Sequence, residues 1–419
     1  MKTVYAFFAA RRYWKDEAAL QAAYAELSAL AGDAPHCLIT ERDLPVPPAG
    51  DCLVVVPMSG AVQQNILDAS ARFDAVVLYG AYIRGNASAK VCEQMLYNNA
   101  APTLMDTWAV LHRSRARAML ALNAAQLADK LQVLDAYYHV RGGRLLKIGN
   151  TEPWVVSNAD HIGVYTQQLG VQIVPVPQKE LAALYESATD ANGQKYYDWF
   201  VGHSVGCKEP TEADLRNASR MAWALITLLD KYEADGCALA CFNLLQTGTT
   251  VCLGVSYLND CTDKVAACEC DMDSAVTMLL MKKLTKTKLW MANPGLQPDG
   301  TINFSHCTGP VCLLDDQPLP YTLRSHHESG IGVALQIEIP AGRTVTACRI
   351  SDNMTKMTIH RGVTVVGPYE PACRTQMHLQ LEDVDHYLHT ALGCHQIFAY
   401  EDITGKLADL AGLFGLEIL

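Results

Sequence analysis

Short apolar runs that do not alternate with polar residues set the strongest limit on how this chain folds. "DCLVVVP" at 51–57 and "FDAVVLYG" at 73–80 are rich in β-branched residues and lack the two-residue period of a strand with one wet face. Such strands need cover on both faces. "TVYAFF" near the start is of the same kind, and the stretch "DEAALQAAYAELSALAG" after it has helical spacing and ends at Gly32. Repetition of strand and helix predicts a parallel, doubly wound sheet with right-handed crossovers over residues 1–143. Gly142 and Gly143 mark the boundary. A second α/β unit, 144–236, runs through "RLLKIGN", "HIGVYTQQLG" and "VQIVPVP" into a long helix. Thr211 is its expected cap, Asp214 its third helical position and Gly236 its stop.

The third part, 237–419, changes character. From Tyr321 to Val366, "IGVALQIEI", "RTVTACRIS" and "MTIHRGVTVVG" alternate over short lengths between Pro, Gly or Asn, which predicts an antiparallel sheet or small barrel. The end reads as strand, helix, strand, with Asp402 or Thr404 capping the helix. The expected class is therefore α/β: two doubly wound α/β N-terminal units, then a C-terminal α+β part with an antiparallel β barrel.

Composition narrows the function classes. The 419 residues are half hydrophobic and carry a net charge of −11. An acidic surface lacks the basic face that nucleic-acid binding requires. The fifteen cysteines form no CxxC pair and mostly lie in apolar runs such as "ADGCALACF", where a thiol acts as a small hydrophobe. That usage fits a reducing compartment, so the expected location is cytoplasmic. The N-terminal apolar run is only about seven residues long, the lower limit for a signal segment, and reads as the first strand. No apolar segment approaches the roughly 20 residues of a membrane span. No GxGxxG follows the first strand to suggest a nicotinamide enzyme.

In α/β folds ligands bind beyond the carboxyl ends of strands. "KVAACECDMDSAVTMLL" passes from strand to helix through Glu269, Asp271 and Asp273. The helix macrodipole accounts for Asp271 and Asp273 at a helix start. Glu269 precedes the cap and follows four apolar residues, so its carboxylate is expected to be partly buried and to need a partner. Asn293 in "TKLWMANPG", His306 in "TINFSHCTGP" and His395 in "HTALGCHQIFAY" are expected at other strand ends. Each histidine alone reads as a satisfied structural residue. Together with Glu269 they fit a hard divalent cation better than thiolate zinc.

In their order, "LLQTGTTVCLGVSYLND", "ACECDMDSAVTMLL", "WMANPG", "FSHCTGP", "LRSHHESGIGVALQ", "CRTQ" and "GCHQIFAYED" resemble the L-fucose isomerase and L-arabinose isomerase superfamily, in particular its shorter fucose isomerase-like members. The resemblance implies a metal-dependent aldose–ketose isomerase using Mn²⁺, or another divalent ion such as Mg²⁺ or Co²⁺. It implies Glu269, Asn293, His306 and His395 as ligands, with Glu269 also the acid/base and Asp271 taking part in catalysis. Two departures stand out: the second ligand position is Asn rather than an acid, and Cys270 replaces the Gly usual between the two acids. Monosaccharide binding is expected from Arg11, Arg12, Trp14, His327 and Arg374, whereas His326 reads as a surface residue on a turn. The family further implies a homo-oligomer, trimer or hexamer, with active sites shared between subunits. Alternatives from the same residues are an isomerase for an anionic, for example sulfonated, hexose, a non-catalytic sugar-binding protein, or a lyase or hydrolase using the same cation.

Overall fold

Five apolar runs of the N-terminal part become five parallel strands: β1 (Thr3–Ala9), β2 (His36–Thr40), β3 (Cys52–Pro57), β4 (Ala75–Tyr79) and β5 (Ala118–Ala121). Their order is β2-β1-β3-β4-β5. Every residue of β3 and β4 is buried, as runs without alternation require. The computed structural model describes residues 1–114, 117–159 and 161–419, and the chain divides into two units, Met1–Tyr138 and His139–Leu419. Within the first, Val4, Phe8, Leu53, Val55, Val76 and Leu78 form the centre of the core. Asp16 caps the helix Glu17–Ser28 by accepting from Ala19 N at 2.8 Å.

The second unit opens with β6 (Arg144–Ile148), β7 (Gln172–Val176), β8 (Gly206–Cys207), β9 (Gly236–Leu239) and β10 (Val265–Ala267). Four of these make a parallel sheet in the order β10-β9-β6-β7. The chain steps from β6 to β7 on one side and then to β9 and β10 on the other, so the winding direction reverses between β6 and β9. Ligands in parallel sheets sit at such a reversal. The boundary expected at 236 falls inside this sheet. Helix Glu212–Lys231 has the expected capping box of Thr211 and Asp214, but it stops before Gly236. Glu233 takes a left-handed φ of +50°, and the chain turns into β9. Gly236 is there for space, since a Cβ on it would lie 2.3 Å from the Val265 carbonyl oxygen of the neighbouring strand.

The remaining strands are β11 (Trp290–Leu296), β12 (Ile302–His306), β13 (Tyr321–Arg324), β14 (Ala334–Ile337), β15 (Thr344–Ser351), β16 (Lys356–Val365), β17 (Thr375–Leu381), β18 (Gln396–Ala399) and β19 (Glu417–Ile418). The order β15-β18-β11-β12-β17-β16, closed by β16 on β15, makes an antiparallel barrel. Closure removes the exposed edges that an open sheet of this size would leave. The expected antiparallel stretch 321–366 is divided between two structures. β13 and β14 join β8 in a separate sheet, while β11, β12, β17 and β18 from outside the stretch complete the barrel. Trp290, Phe304, Ala347, Leu379 and Phe398 fill the barrel core, with the Phe304 and Phe398 rings 4.7 Å apart. Pro294 lies within β11, where β18 no longer pairs beyond Ala292, so its missing N–H is tolerated.

Helix Met272–Lys282 lies between sheet and barrel. Every residue from Met272 to Met281 is buried, as an apolar helix covered on all sides must be. It packs on β9 and β10 and, across the layer, on β15 and β18. Among the described residues no helix is long and apolar enough to cross a membrane.

His360 on β16 is buried, with its ring 5.1 Å from that of Tyr387 and 5.6 Å from that of His386. Burial, aided by His386, pushes its pKa down from 6.5 to about 4. As pH falls through this window the unfolded chain takes up a proton that the folded chain refuses, so stability falls and then levels off below about 4. His360→Gln is expected to flatten this part of the profile by on the order of 2 kcal/mol, read by urea unfolding across the window.

Candidate metal centre

The C-terminal ends of β6, β9 and β10 deliver three loops to one place. After β10 the chain makes a tight turn through Cys268, Glu269 and Cys270 before the helix begins. Glu269 and Cys270 are both left-handed, at φ +58° and +51°. Only glycine adopts that region freely, so two consecutive side chains there are held by their surroundings. Cys270 N donates to Leu239 O of β9 at 2.8 Å, and Glu152 N, from the loop after β6, donates to Glu269 O at 3.0 Å. The turn points the Glu269 carboxylate toward the barrel. Trp154 of the β6 loop donates its indole N–H to Glu269 Oε2 at 2.6 Å and sets its ring edge-on to Phe242 of the β9 loop. Glu152 Oε1 accepts from Phe242 N at 3.2 Å, tying the β6 and β9 loops together.

The barrel supplies two imidazoles. His306 ends β12 and His395 immediately precedes β18. Glu269 Oε1 lies 3.7 Å from His306 Nε2 and 3.5 Å from His395 Nε2. The ligand atoms of all three residues fall within 4.8 Å of one another, and all three residues are buried. Ligands about 2.1 Å from one ion lie about 3–3.5 Å apart, so a small contraction brings the three onto a shared cation.

The back of the site fixes the rings. His395 Nδ1 is 2.8 Å from Asp271 Oδ2, and Thr308 Oγ1 is 2.9 Å from His306 Nδ1. Asp271 has no exposed surface. It caps helix Met272–Lys282 by accepting from Ser274 N at 2.9 Å, and it accepts from Arg349 Nη1 at 3.0 Å. Arg349, on β15, is also fully buried and reaches His395 O at 3.0 Å and Ser157 Oγ at 3.1 Å. Gly393 makes room for that guanidinium, since a Cβ there would lie 2.5 Å from Arg349 Nε. A carboxylate behind a histidine is the arrangement that sets ring orientation at metal sites.

His395 Nε2 is buried and has no hydrogen-bond partner. With Nδ1–H given to Asp271, the Nε2 lone pair would face the Glu269 carboxylate, two acceptors with nothing between them. A cation or a proton resolves this. Burial opposes charge on His395, but the Asp271 hydrogen bond outweighs it and raises its pKa well above the ordinary value. Burial likewise opposes the Glu269 carboxylate, and the two imidazoles overcome it and hold its pKa below the usual range. Burial also works against Asp271, whose pKa the Arg349 charge brings far down. The residues thus fit a divalent ion, which would exchange with the proton on His395.

Glu269 and His306 line a cleft whose empty space, about 410 Å³, includes the open solvent at its mouth. Phe242, Leu245 and Val251 line its sides with His326, Glu328 and the thiols of Cys241, Cys252, Cys268, Cys307 and Cys373. His326, expected on the surface, is buried here and shares Ser329 Oγ at 3.0 Å and Glu328 Oε2 at 3.2 Å. Burial lowers its pKa, so it faces the cleft uncharged near neutral pH.

The other expected site residues are placed as follows. Asn293 lies inside β11 rather than at its end, opposite Ser305, half-buried and without a hydrogen bond to Glu269, His306 or His395. The strand continues through Pro294, which had suggested an ending. Asp271 stands behind His395 and out of reach of the cleft. His327 is half-buried next to His326, and Arg374 donates to Ser325 O at 2.9 Å. Arg11 and Arg12 are exposed in the N-terminal unit, where Trp14 is buried. Trp154, Phe242 and Arg349 were not anticipated. Arg349 within the apolar strand "TVTACRIS" was the one signal available. Trp154 follows a proline in an aperiodic loop and gave none.

No protein-family model and no curated protein matches this chain.

Asp271→Asn should lower Mn²⁺ affinity by about 10–100-fold, because His395 loses the group that orients it. It leaves Arg349 without its nearest counter-charge and should destabilise the metal-free fold by about 3–5 kcal/mol. Calorimetric Mn²⁺ titration and thermal unfolding in chelator measure the two effects. In the unaltered chain, Mn²⁺ affinity should fall as pH drops, because the proton on His395 competes with the ion.

Proposed function

We propose that this chain is a metal-dependent aldose–ketose isomerase acting on a neutral monosaccharide. The observation that carries the proposal is the buried Glu269, His306 and His395 group, with Glu269 and His306 lining a cleft and His395 Nε2 unpartnered beside Glu269. A Mn²⁺ ion held there would polarise neighbouring oxygens of the sugar and acidify the C–H bond beside its carbonyl. The loops after β6, β9 and β10 that build the group leave the carboxyl ends of parallel strands, where ligands of such sheets enter.

Isomerisation moves one proton between C2 and C1, together with one between the two oxygens. Glu269 is the base. Its pKa is held low, so it is ionised at neutral pH, and Trp154 fixes the carboxylate plane through Oε2. It takes the proton from one carbon and returns it to the next on the same face. His306 and His395 hold position through Thr308 and Asp271 while this occurs. Asp271 has no exposed surface and acts through His395, so it is a positioning residue and not an acid/base. His326, neutral and facing the cleft, is placed to hydrogen-bond sugar hydroxyls. The wall between Phe242 and Val251 excludes water from the reacting carbons.

Neutral sugar is favoured over an anionic one by the lining. It contains Glu269 and Glu328 and neither arginine nor lysine. A sulfonate would enter a cleft with carboxylates and no fixed cation.

Glu269→Gln should reduce turnover by about 10²–10⁴-fold, measured beside Mn²⁺ content so that ion loss and base loss are separated. A panel of neutral and anionic aldoses is the direct assay. In D₂O the unaltered chain should place solvent deuterium at C1 of the ketose. Ketose formation that persists in Glu269→Gln with the ion bound would remove Glu269 as the base, and absence of turnover on the whole panel with the ion bound would remove the isomerase reading.

A further inference from the structure

A second group of ligand atoms stands beside the first. Cys307 follows directly after β12, Cys373 precedes β17, and Glu328 is on the turn after β13. Their two sulfurs and one carboxylate oxygen lie within 4.8 Å of one another. Cys373 Sγ donates to Glu328 Oε1 at 3.5 Å, and His326 Nε2 steadies Glu328 Oε2 at 3.2 Å. Cys252 packs on Cys307 from below. We propose that Cys307, Cys373 and Glu328 form a second metal site, selective for a thiolate-binding divalent ion such as zinc, in the wall of the cleft that holds the Glu269 centre.

Three features separate this group from cysteines that merely pack. Buried structural thiols are closed off on every side, whereas here Cys373 is half-buried and Glu328 exposed. The group therefore opens to solvent, giving an ion a path in and leaving room for water as a further ligand. Its polar member contacts a thiol directly, so that deprotonation would leave a thiolate and a carboxylate in contact and needing a cation. The three ligands also come from the ends of different strands, which holds them apart at a spacing the backbone sets.

Donor chemistry assigns the ions. Two thiolates and a carboxylate select zinc and its analogues, and a carboxylate with two imidazoles accepts harder ions. Because His306 and Cys307 are consecutive, filling the thiol site narrows the cleft beside the Glu269 centre. Excess zinc should then obstruct whatever ligand the cleft takes. The assignment rests on its own residues and does not require the isomerase reading.

Co²⁺ titration of the reduced, metal-free full chain tests it, because a cobalt–thiolate bond gives a charge-transfer absorption that carboxylate and imidazole ligands do not. The expected result is a band whose final amplitude is that of one thiolate-bound Co²⁺ per chain and which is discharged by Zn²⁺. Glu269→Gln should keep the band and Cys373→Ser should lose it. Glu328→Gln, at an exposed position with little folding risk, should weaken Co²⁺ at this site by about 10-fold or more. No charge-transfer band in the unaltered chain, or a band of full strength in Cys373→Ser, overturns the proposal.

Discussion

The contact of Asp271 with Arg349 and His395 is what holds the second unit's layers in register. One carboxylate without exposed surface caps the central helix, pairs with a guanidinium on barrel strand β15 and holds a ring at the start of β18. Helix, strand and site are therefore fixed by the same group. A buried pair of this kind is weak grounds for stability, because desolvation offsets much of its attraction. Its value is directional. Apolar packing would tolerate a small rotation of the helix against the barrel, but hydrogen bonds from three residues, Ser274, Arg349 and His395, converging on one carboxylate would not. The Glu269 oxygen and the two imidazole nitrogens depend on that alignment, since they come from opposite sides of the layer interface.

Strain in the turn adds to this. Two left-handed non-glycine residues cost about 1–3 kcal/mol each, and the turn lies between β10 and a helix that is buried along its length. The helix cannot move to relieve it, because Asp271 is tied to Arg349. A relaxed turn would carry Glu269 away from Trp154 and from both histidines. Cys270 fits the same picture: its thiol is buried against the carbonyls of Gly149 and Ala238 at 3.7 Å, so packing compensates for the φ it must adopt.

Local rules carried the sequence reading wherever one segment contains the whole signal. The buried runs of β3 and β4, the capping box at Thr211 and the helix start at Asp271 are of this kind. So is the burial of Glu269, which follows from a carboxylate ending an apolar strand. Long-range pairing was less legible. The strands at Tyr321–Arg324 and Ala334–Ile337 alternate as barrel strands do, yet they pair with each other, and the first pairs on its other edge with Gly206–Cys207, a two-residue strand with no signature of its own. Barrel closure joins residues 290 and 398, and nothing local to either indicates it. The same limit applied to the site. Asn293 looked like a strand end because Pro294 follows, but proline is admitted wherever the neighbouring strand has already ended. His326 looked exposed because polar turn residues surround it, but its ring meets that of Phe242, from the segment after β9, at 5.7 Å.

Charge explains why three carboxylates stand at the join of an apolar strand and an apolar helix. Asp271 and Asp273 stand beside one guanidinium, Arg349, and Glu269 faces the two imidazoles. Asp273 accepts from Tyr165 Oη at 2.7 Å and Ser351 Oγ at 2.5 Å, yet burial raises its pKa to about 6. When all three are ionised, Arg349 leaves two negative charges uncompensated in a layer that excludes water. Protons supply part of the deficit, one on His395 and, in mildly acid solution, one on Asp273. A divalent ion at Glu269 supplies both charges at once and sits where His395 Nε2 is unpartnered. The carboxylates are thus spaced as a graded series: Asp273 adjusts to pH, Asp271 orients the ring, and Glu269 alone reaches the cleft. Removing the charge of any one changes the requirement on the others, so cation affinity, helix docking and the protonation of His395 form one linked equilibrium.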